Sequence, residues 1–362
     1  MPEGTPTREG SQAPHPDSAQ HSLLVTPRPL TRRRFLGAAA LAGAALASAG
    51  VPRLARAQTR IKIGYLPLIA VGPLYLANDR GYLRDAGLDV EMVRFSAGVE
   101  MGAALGTGEL AAGYTAVSPA LFNAWGRGVT TILALDAARF RPGYGTILTM
   151  VREDLADVIR TPQDLRGRRV NIGLLGSAID YVMRNFLEQN GLSEDDVDGQ
   201  RLNNVDVNAG FAGRSIDAAG IGEPFGAMAE QGGIARRWIG GDQITPGLQL
   251  ACLVLSEQTA RDRPLATAIV TAYLRGIREF LPGQTNDPAV LEVVNRWTGV
   301  PVDIIRQSVP SWADPNGGLD VDDVKRQQAF WQRYGVVNAL APVDNFVDLS
   351  FADAAVQALG RV

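Results

Sequence analysis

The sequence predicts an α/β fold built as two similar lobes, and three observations carry that expectation. Short apolar strands alternate with short helical segments, the pattern of a parallel sheet covered by helices. One stretch of this pattern, residues 108–128 (GELAAGYTAVSPALFNAWGRG), recurs without a gap 105 residues later, at 213–233 (GRSIDAAGIGEPFGAMAEQGG). The two share four identities in 21 positions, so the common plan of strand, X-Pro and helix start is the stronger sign of a repeat. Two apolar strands, residues 146–151 and 248–255, read as an outward and a return crossing between lobes. Lobe 1 is then expected from residues 58–145 and 248–362, with lobe 2, residues 146–247, inserted.

Residues 1–57 are expected to stand outside this fold. Residues 1–30 are rich in Pro, Ser, Thr and Gln with no apolar period. Thr31-Arg32-Arg33-Arg34-Phe35-Leu36-Gly37 matches the twin-arginine export pattern, and Ala55-Arg56-Ala57 gives a small-x-small cleavage site before Gln58. The apolar run between them, residues 35–50, is mostly Ala and Gly and shorter than the roughly 20 residues a spanning helix needs. No cysteine follows it, which argues against a lipid anchor. The expected product is a periplasmic protein cleaved near Ala57.

Cleavage changes the composition. Seven of the 35 basic and three of the 38 acidic residues lie in this segment, leaving 28 and 35, a net charge of −7. That argues against binding nucleic acid or anionic membrane through bulk charge. Both histidines, His15 and His21, leave with the segment, and Cys252 is the sole cysteine. A mature chain without histidine and with one cysteine has no intramolecular disulfide, no Cys/His zinc site and no triad with a histidine base. No cofactor or metal is expected, and Cys252 reads as a small buried apolar residue.

In chain order, residues 60–65 (RIKIGY) and 88–95 (LDVEMVRF) read as strands, separated by an apolar loop, 66–72, and a helix, 73–79. A loop at 96–98 leads to a helix at 99–105, then strands at 110–115 and 130–135. Ligands of parallel α/β sheets bind beyond the carboxyl ends of the strands. The loops holding Pro67, Leu68, Ser96, Gly98, Val117 and Ser118 therefore share the expected ligand edge. Residues 136–145 read as loop. In lobe 2, residues 168–173 and 206–209 read as strands, 178–189 as a helix ended by Asn190-Gly191, and 238–245 as loop. After the return crossing, 259–281 reads as one long amphipathic helix, followed by helices at 288–297, 301–307, 321–334 and 351–359.

Ser118 and Ser177 are placed to cap helices, with Pro119 suited to a first turn. Such starts present free backbone N–H groups and a partial positive charge, which suits a polar or anionic ligand group. Each serine is either an ordinary cap or a cap that also meets the ligand. Glu223 either accepts a hydrogen bond from the ligand or complements a helix dipole. Arg139 and Arg141 either clamp an anionic headgroup or are solvated surface charge. Tyr181 packs in the cleft or in the core. The five tryptophans read as packing residues.

Several pieces in order, residues 63–77 (IGYLPLIAVGPLYLA), 80–93 (RGYLRDAGLDVEMV), 106–113, 176–181, 216–225 and 349–360, make the chain resemble the periplasmic solute-binding proteins of ABC importers. The similarity is to the subgroup for sulfonates, taurine, nitrate and thiamine-precursor pyrimidines. The resemblance implies a type II periplasmic binding fold, two α/β lobes joined by a two-stranded hinge. It also implies closure around one small molecule by a monomer, and docking on an inner-membrane permease with its ATPase. It favours ligand contact for Ser118 and Ser177, and brings in Gly176, Gly222 and Glu223. Members often carry an aromatic before the acidic residue and proline; here Gly222 stands there, in Ile221-Gly222-Glu223-Pro224-Phe225.

Three function classes follow. The leading one is a receptor without catalysis. An enzyme on the same fold is the second; relatives that consume a histidine to make the thiamine pyrimidine have no counterpart in a mature chain without histidine or the cysteine-rich motif. Paired acid/base residues and a glycine-rich phosphate loop are also missing from the sequence. A sensory module that hands its ligand to a membrane sensor is the third.

Overall fold

The computed structural model describes residues 58–362 apart from Ala97. The expected export signal lies outside the described residues. Strands β1 (Thr59–Tyr65), β2 (Leu88–Arg94), β3 (Ala112–Ala116) and β4 (Thr131–Arg139) begin one sheet. A second holds β5 (Ile147–Arg152), β6 (Arg169–Asn171), β7 (Asp198–Gln200), β8 (Ala218–Gly222) and β9 (Ala235–Gly240), in the order β7-β6-β8-β5-β9. The chain then returns as β10 (Gln249–Ser256) to complete the first sheet, β2-β1-β3-β10-β4.

The sheets are mixed rather than wholly parallel. β1 pairs in parallel with β2 and β3, and β6 with β7 and β8. β10 is antiparallel to β3 and β4, and β5 to β8 and β9. The reason is topological. A strand arriving from the other lobe enters at the cleft edge and runs away from it, whereas its neighbours run towards it. β5 and β10 sit in separate sheets and do not pair with each other. The crossings themselves are residues 140–146 and 245–248, held side by side by Phe140 N–H donating to the Leu248 carbonyl at 2.9 Å.

Helices α1 (Gly72–Asp79), α2 (Tyr82–Asp85), α3 (Gly98–Gly106) and α4 (Pro119–Gly126) lie between the first four strands. Lobe 2 carries α5 (Ala178–Gln189), α6 (Asn204–Ala212), α7 (Phe225–Gln231) and α8 (Gly241–Ile244). The C-terminal part adds α9 (Glu257–Arg261), α10 (Arg263–Gly283), α11 (Pro288–Thr298), α12 (Val302–Gln307), α13 (Val321–Arg333) and α14 (Ser350–Leu359). No helix among the described residues is long and apolar enough to cross a membrane.

Four local expectations are corrected. Residues 136–139 continue β4 instead of opening a loop, because the buried Asp136 carboxylate accepts from Gln249 Nε2 at 2.8 Å and Asp314 N at 2.9 Å. Residues 206–209 lie inside α6, whose cap is Asn203, its side chain accepting from Val205 N. Residues 238–240 end β9, and α8 follows. The long helix is two helices, since Asp262 caps α10 and Pro264 stands in its first turn.

Strand alternation distributes the core. On β10, Ala251, Leu253 and Leu255 join one apolar cluster, with α1, α10, α11 and α14. Cys252 and Val254 point the other way, into a cluster that extends to α5 and α13. Burial pushes the Cys252 thiol well up, so it stays a protonated packing group. α1 meets α10 so closely that a Cβ at Gly276 would fall 2.0 Å from the Pro73 carbonyl oxygen.

Candidate functional site

A cavity of about 440 Å³ opens between the two sheets at the carboxyl ends of β3 and β8. Its size falls within the range of small-molecule sites. Lobe 1 contributes Leu66, Leu68, Ile69 and Ala70 after β1, Ser96 and Gly98 at the start of α3, and Ser118 at the start of α4. Lobe 2 contributes Gly176, Ser177, Ala178 and Ile179 at the start of α5, Asn204 at the start of α6, and Gly222 and Glu223 before α7. Thr146 comes from one crossing, Leu250 and Ala251 from β10 after the other, and Val309 and Ser311 from the segment after α12.

Several helix starts thus point into one space, and first-turn N–H groups have no intrahelical acceptor. At Ser118 the backbone is extended at the cap and the side chain makes no cap bond, leaving its hydroxyl for the cleft. Ser177 differs: its Oγ accepts from Asp180 N at 3.1 Å. Asp180 fixes this loop from beneath, accepting from Gly176 N at 2.9 Å and from Arg184 Nε at 2.7 Å. A Cβ at Gly176 would lie 3.2 Å from Pro119 Cγ, so the two lobes come nearly into contact there.

Asn204 lines the cavity and supports Gly222 by accepting its N–H at 2.9 Å through Oδ1. The Tyr114 hydroxyl makes no protein hydrogen bond among the described residues, and burial pushes its pKa up, so it stays a neutral donor. Glu223 is the lone charged residue in the lining among the described residues, and it is spoken for. Its Oε1 accepts from Val309 N at 2.8 Å with Arg237 Nη2 3.2 Å away, and its Oε2 accepts from Ala227 N at 2.9 Å. Burial raises the Glu223 pKa, while those two N–H groups and Arg237 oppose the rise.

Eight of the twelve residues expected in the cleft line it: Leu68, Ser96, Gly98, Ser118, Gly176, Ser177, Gly222 and Glu223. Four do not. Pro67 is absent from the lining although both its neighbours reach it. Val117 is buried among Phe122 and Trp125 on the far side of its strand end. Tyr181 turns to the core, its ring 4.5 Å from that of Phe330. Arg139 lies 3.5 Å from Asp136 and 3.3 Å from Asp314 and covers Trp312; Arg141 covers the same ring. The cleft therefore offers helix starts, hydroxyls and an amide, with no arginine or lysine among its described lining residues.

Tyr114 was findable, since it shares a strand face with Ala116, two residues before Ser118. Asn204 was hidden by reading the next residues as a strand. Ser311 carries no local signal at all.

A family model described as NMT1/THI5 like matches residues 69–284, more than half of the chain. The chain belongs to the NMT1/THI5-like family. Within this NMT1/THI5-like chain, the match takes in the cleft lining from Ile69 to Ala251 and leaves out Leu66, Leu68, Val309 and Ser311. A Brucella abortus (strain 2308) protein, named only provisionally as a binding protein, is 26% identical over 198 residues. The alignment covers 54% of this chain, and the chain spans 56% of that relative's length.

Solved structures extend the likeness in fold. The alkanesulfonate-binding protein SsuA from Xanthomonas axonopodis pv. citri, bound to MOPS, is 21% identical with a TM-score of 0.64, covering 80% of this chain and 98% of that one. The periplasmic nitrate-binding protein NrtA from Synechocystis PCC 6803 is 13% identical with a TM-score of 0.67, covering 84% and 89%. The desulfurization enzyme DszB is 19% identical with a TM-score of 0.61, covering 83% and 100%. The NMT1/THI5-like chain thus has the two-lobed fold of periplasmic binding proteins, a fold that also hosts an enzyme.

Proposed function

We propose that this NMT1/THI5-like protein is an extracytoplasmic receptor that captures a small organic molecule without converting it and delivers it to an ABC import permease. The observation that carries the reading is the cleft itself: an open space between two sheets, walled by apolar side chains and several helix starts, whose one carboxylate among the described residues is consumed by protein donors. A carboxylate holding three protein partners is poorly placed to act as a base. The helix starts, the Ser118 hydroxyl and the Asn204 amide suit a compact polar or oxyanionic headgroup, and the apolar walls suit a carbon body. That combination favours a sulfonate-type ligand over nitrate, which has no carbon body. With no cation among the described lining residues, a neutral pyrimidine-like ligand is the second reading.

Export through the twin-arginine route, with cleavage near Ala57, belongs to the same proposal. So does closure of a lobe of residues 58–145 and 248–362 against a lobe of 146–247 when ligand bridges both. Native mass spectrometry of the exported protein, followed by titration with the molecule it carries, tests the reading. Expected are one ligand per chain, recovery of that ligand unchanged after incubation, and loss of binding in Gly222→Trp. A Cβ at Gly222 would already lie 3.3 Å from the Asn204 amide, so an indole there overfills the cleft. Turnover above a denatured control, or wild-type affinity in Gly222→Trp, overturns it.

A further inference from the structure

A second space adjoins the headgroup end of the cleft. Gly98 and Ser118 also line a second cavity, of about 480 Å³, which runs between α3 and α4 over β3, β4 and β10. The two spaces share those residues, so they adjoin at the starts of α3 and α4. Its far end is marked by Thr107 and the exposed Arg127, past the ends of the two helices.

This chamber has a hydrocarbon character despite several polar residues in its wall. The Thr107 hydroxyl donates to the Ala104 carbonyl and the Thr115 hydroxyl to the Ala116 carbonyl. Thr131 Oγ1 accepts from the Trp125 indole, and the Asn123 amide is held on both atoms by Val336 and Asn338. Between Ser118 at one end and Arg127 at the other, what is left facing the space is apolar, from Leu105, Leu121, Val129 and Val254.

The chamber is also not a by-product of tight packing. Gly98, Gly102 and Gly106 stand four apart on α3 and so share one face. At Gly106 the small residue is required, because a Cβ would fall 2.6 Å from Val129 Cγ1. At Gly98 and Gly102 a Cβ would meet no atom within 4 Å. Glycine in a helix is destabilising relative to alanine, and here no neighbour asks for it. The result is open volume along α3, next to the Gly98–Ser118 end of the cleft.

We propose that the chamber holds the tail of the ligand, so that the preferred ligands are elongated amphiphiles with a polar head in the cleft and a narrow hydrocarbon tail between α3 and α4. This rests on the receptor reading. From Gly98 to Gly106 the helix rises ~12 Å, room for a medium-length alkyl chain.

The test is calorimetric titration of the exported protein with ethane-, hexane- and decanesulfonate, and in parallel with the matching 1-alkanols, in wild type and Gly102→Leu. Wild type should bind about fourfold tighter for each added methylene until the chamber is full. Gly102→Leu should bind ethanesulfonate as wild type does and lose the gain for the longer chains. Gly102→Ala, a milder filling of the same space, should fall between. Sulfonates that bind without any gain with length, or a gain that survives in Gly102→Leu, overturn the tail chamber and leave the receptor reading standing. If no sulfonate binds but the alkanols gain with length and Gly102→Leu removes the gain, the headgroup reading fails and the chamber stands. No length dependence in either series overturns the chamber.

Discussion

At Ser118-Pro119 and at Glu223-Pro224 the chain makes the same local move, from a strand end through an X-Pro step into a helix start, and both arrive at one cleft. In lobe 1 the polar side chain is left without a cap bond and faces the space. In lobe 2 the carboxylate is buried and accepts from Val309 and Ala227, with Arg237 alongside. Val309 is 86 residues further along the chain and comes from the segment after α12. The local layout sets where a side chain sits, and a distant backbone N–H decides whether it is available to a ligand. One start is expected to serve binding, the other to fasten the C-terminal segment to lobe 2.

The sharpest way to break this contrast is Glu223→Ala. It leaves the N–H groups of Val309 and Ala227 without acceptors and removes a counterion from Arg237. Two buried donors losing partners should cost ~3 kcal/mol, discounted little because the Glu223 side chain is only 3% exposed. The loss should appear in thermal melts without ligand. A ligand-free melting temperature equal to that of wild type would show that the carboxylate is not a fastener and return it to the list of ligand contacts.

How much of this was legible beforehand depended on the range of the interaction. The strand and helix of each repeat and the cap at Ser177 were readable because their partners lie within a few residues. The mixed sheets were not, since strand direction follows from which lobe the chain has just left. Arg139 read as either a ligand clamp or a solvated charge in a loop; Asp314, 175 residues away, holds it at the end of β4 instead. Glu223 was legible in position and not in role, for the same reason. Tyr181 was undecided because the aromatic residues that enclose it, Phe330 and Trp331, sit about 150 positions later in the sequence.

The lobes can be compared further through a second buried carboxylate. Asp136 in lobe 1 is fully buried and accepts from Gln249 and Asp314, as Glu223 in lobe 2 accepts from Val309 and Ala227. Burial pushes the Asp136 pKa from 3.8 up to about 7, against the pull of nearby Arg139. A carboxyl whose pKa is higher folded than unfolded holds its proton better in the folded state. Its contribution to stability is therefore whole below pH 3.8 and is lost as pH rises towards 7. Asp136→Asn removes that dependence while giving up one of the two accepted bonds. The gap in melting temperature between wild type and variant should accordingly shrink as pH rises through this window. A gap that stays constant across it would mean that Asp136 is ionised throughout.

The smallest effects separate the two serines. Ser118→Ala removes a hydroxyl with no cap bond, so the ligand-free melt should stay within experimental error of wild type. If the hydroxyl meets the ligand, affinity should fall by roughly 0.5–1.5 kcal/mol, more for a charged headgroup. Ser177→Ala removes an acceptor that Asp180 N uses at 3.1 Å, so about 1 kcal/mol should disappear from the ligand-free protein. The Gly176 loop should nevertheless hold, because Asp180 still takes the Gly176 N–H. The two variants are thus expected to exchange phenotypes, one losing affinity at constant stability and the other losing stability first. Equal losses of stability in both would mean that Ser118 caps α4 in solution, and the open hydroxyl that distinguishes the lobe 1 wall would no longer exist.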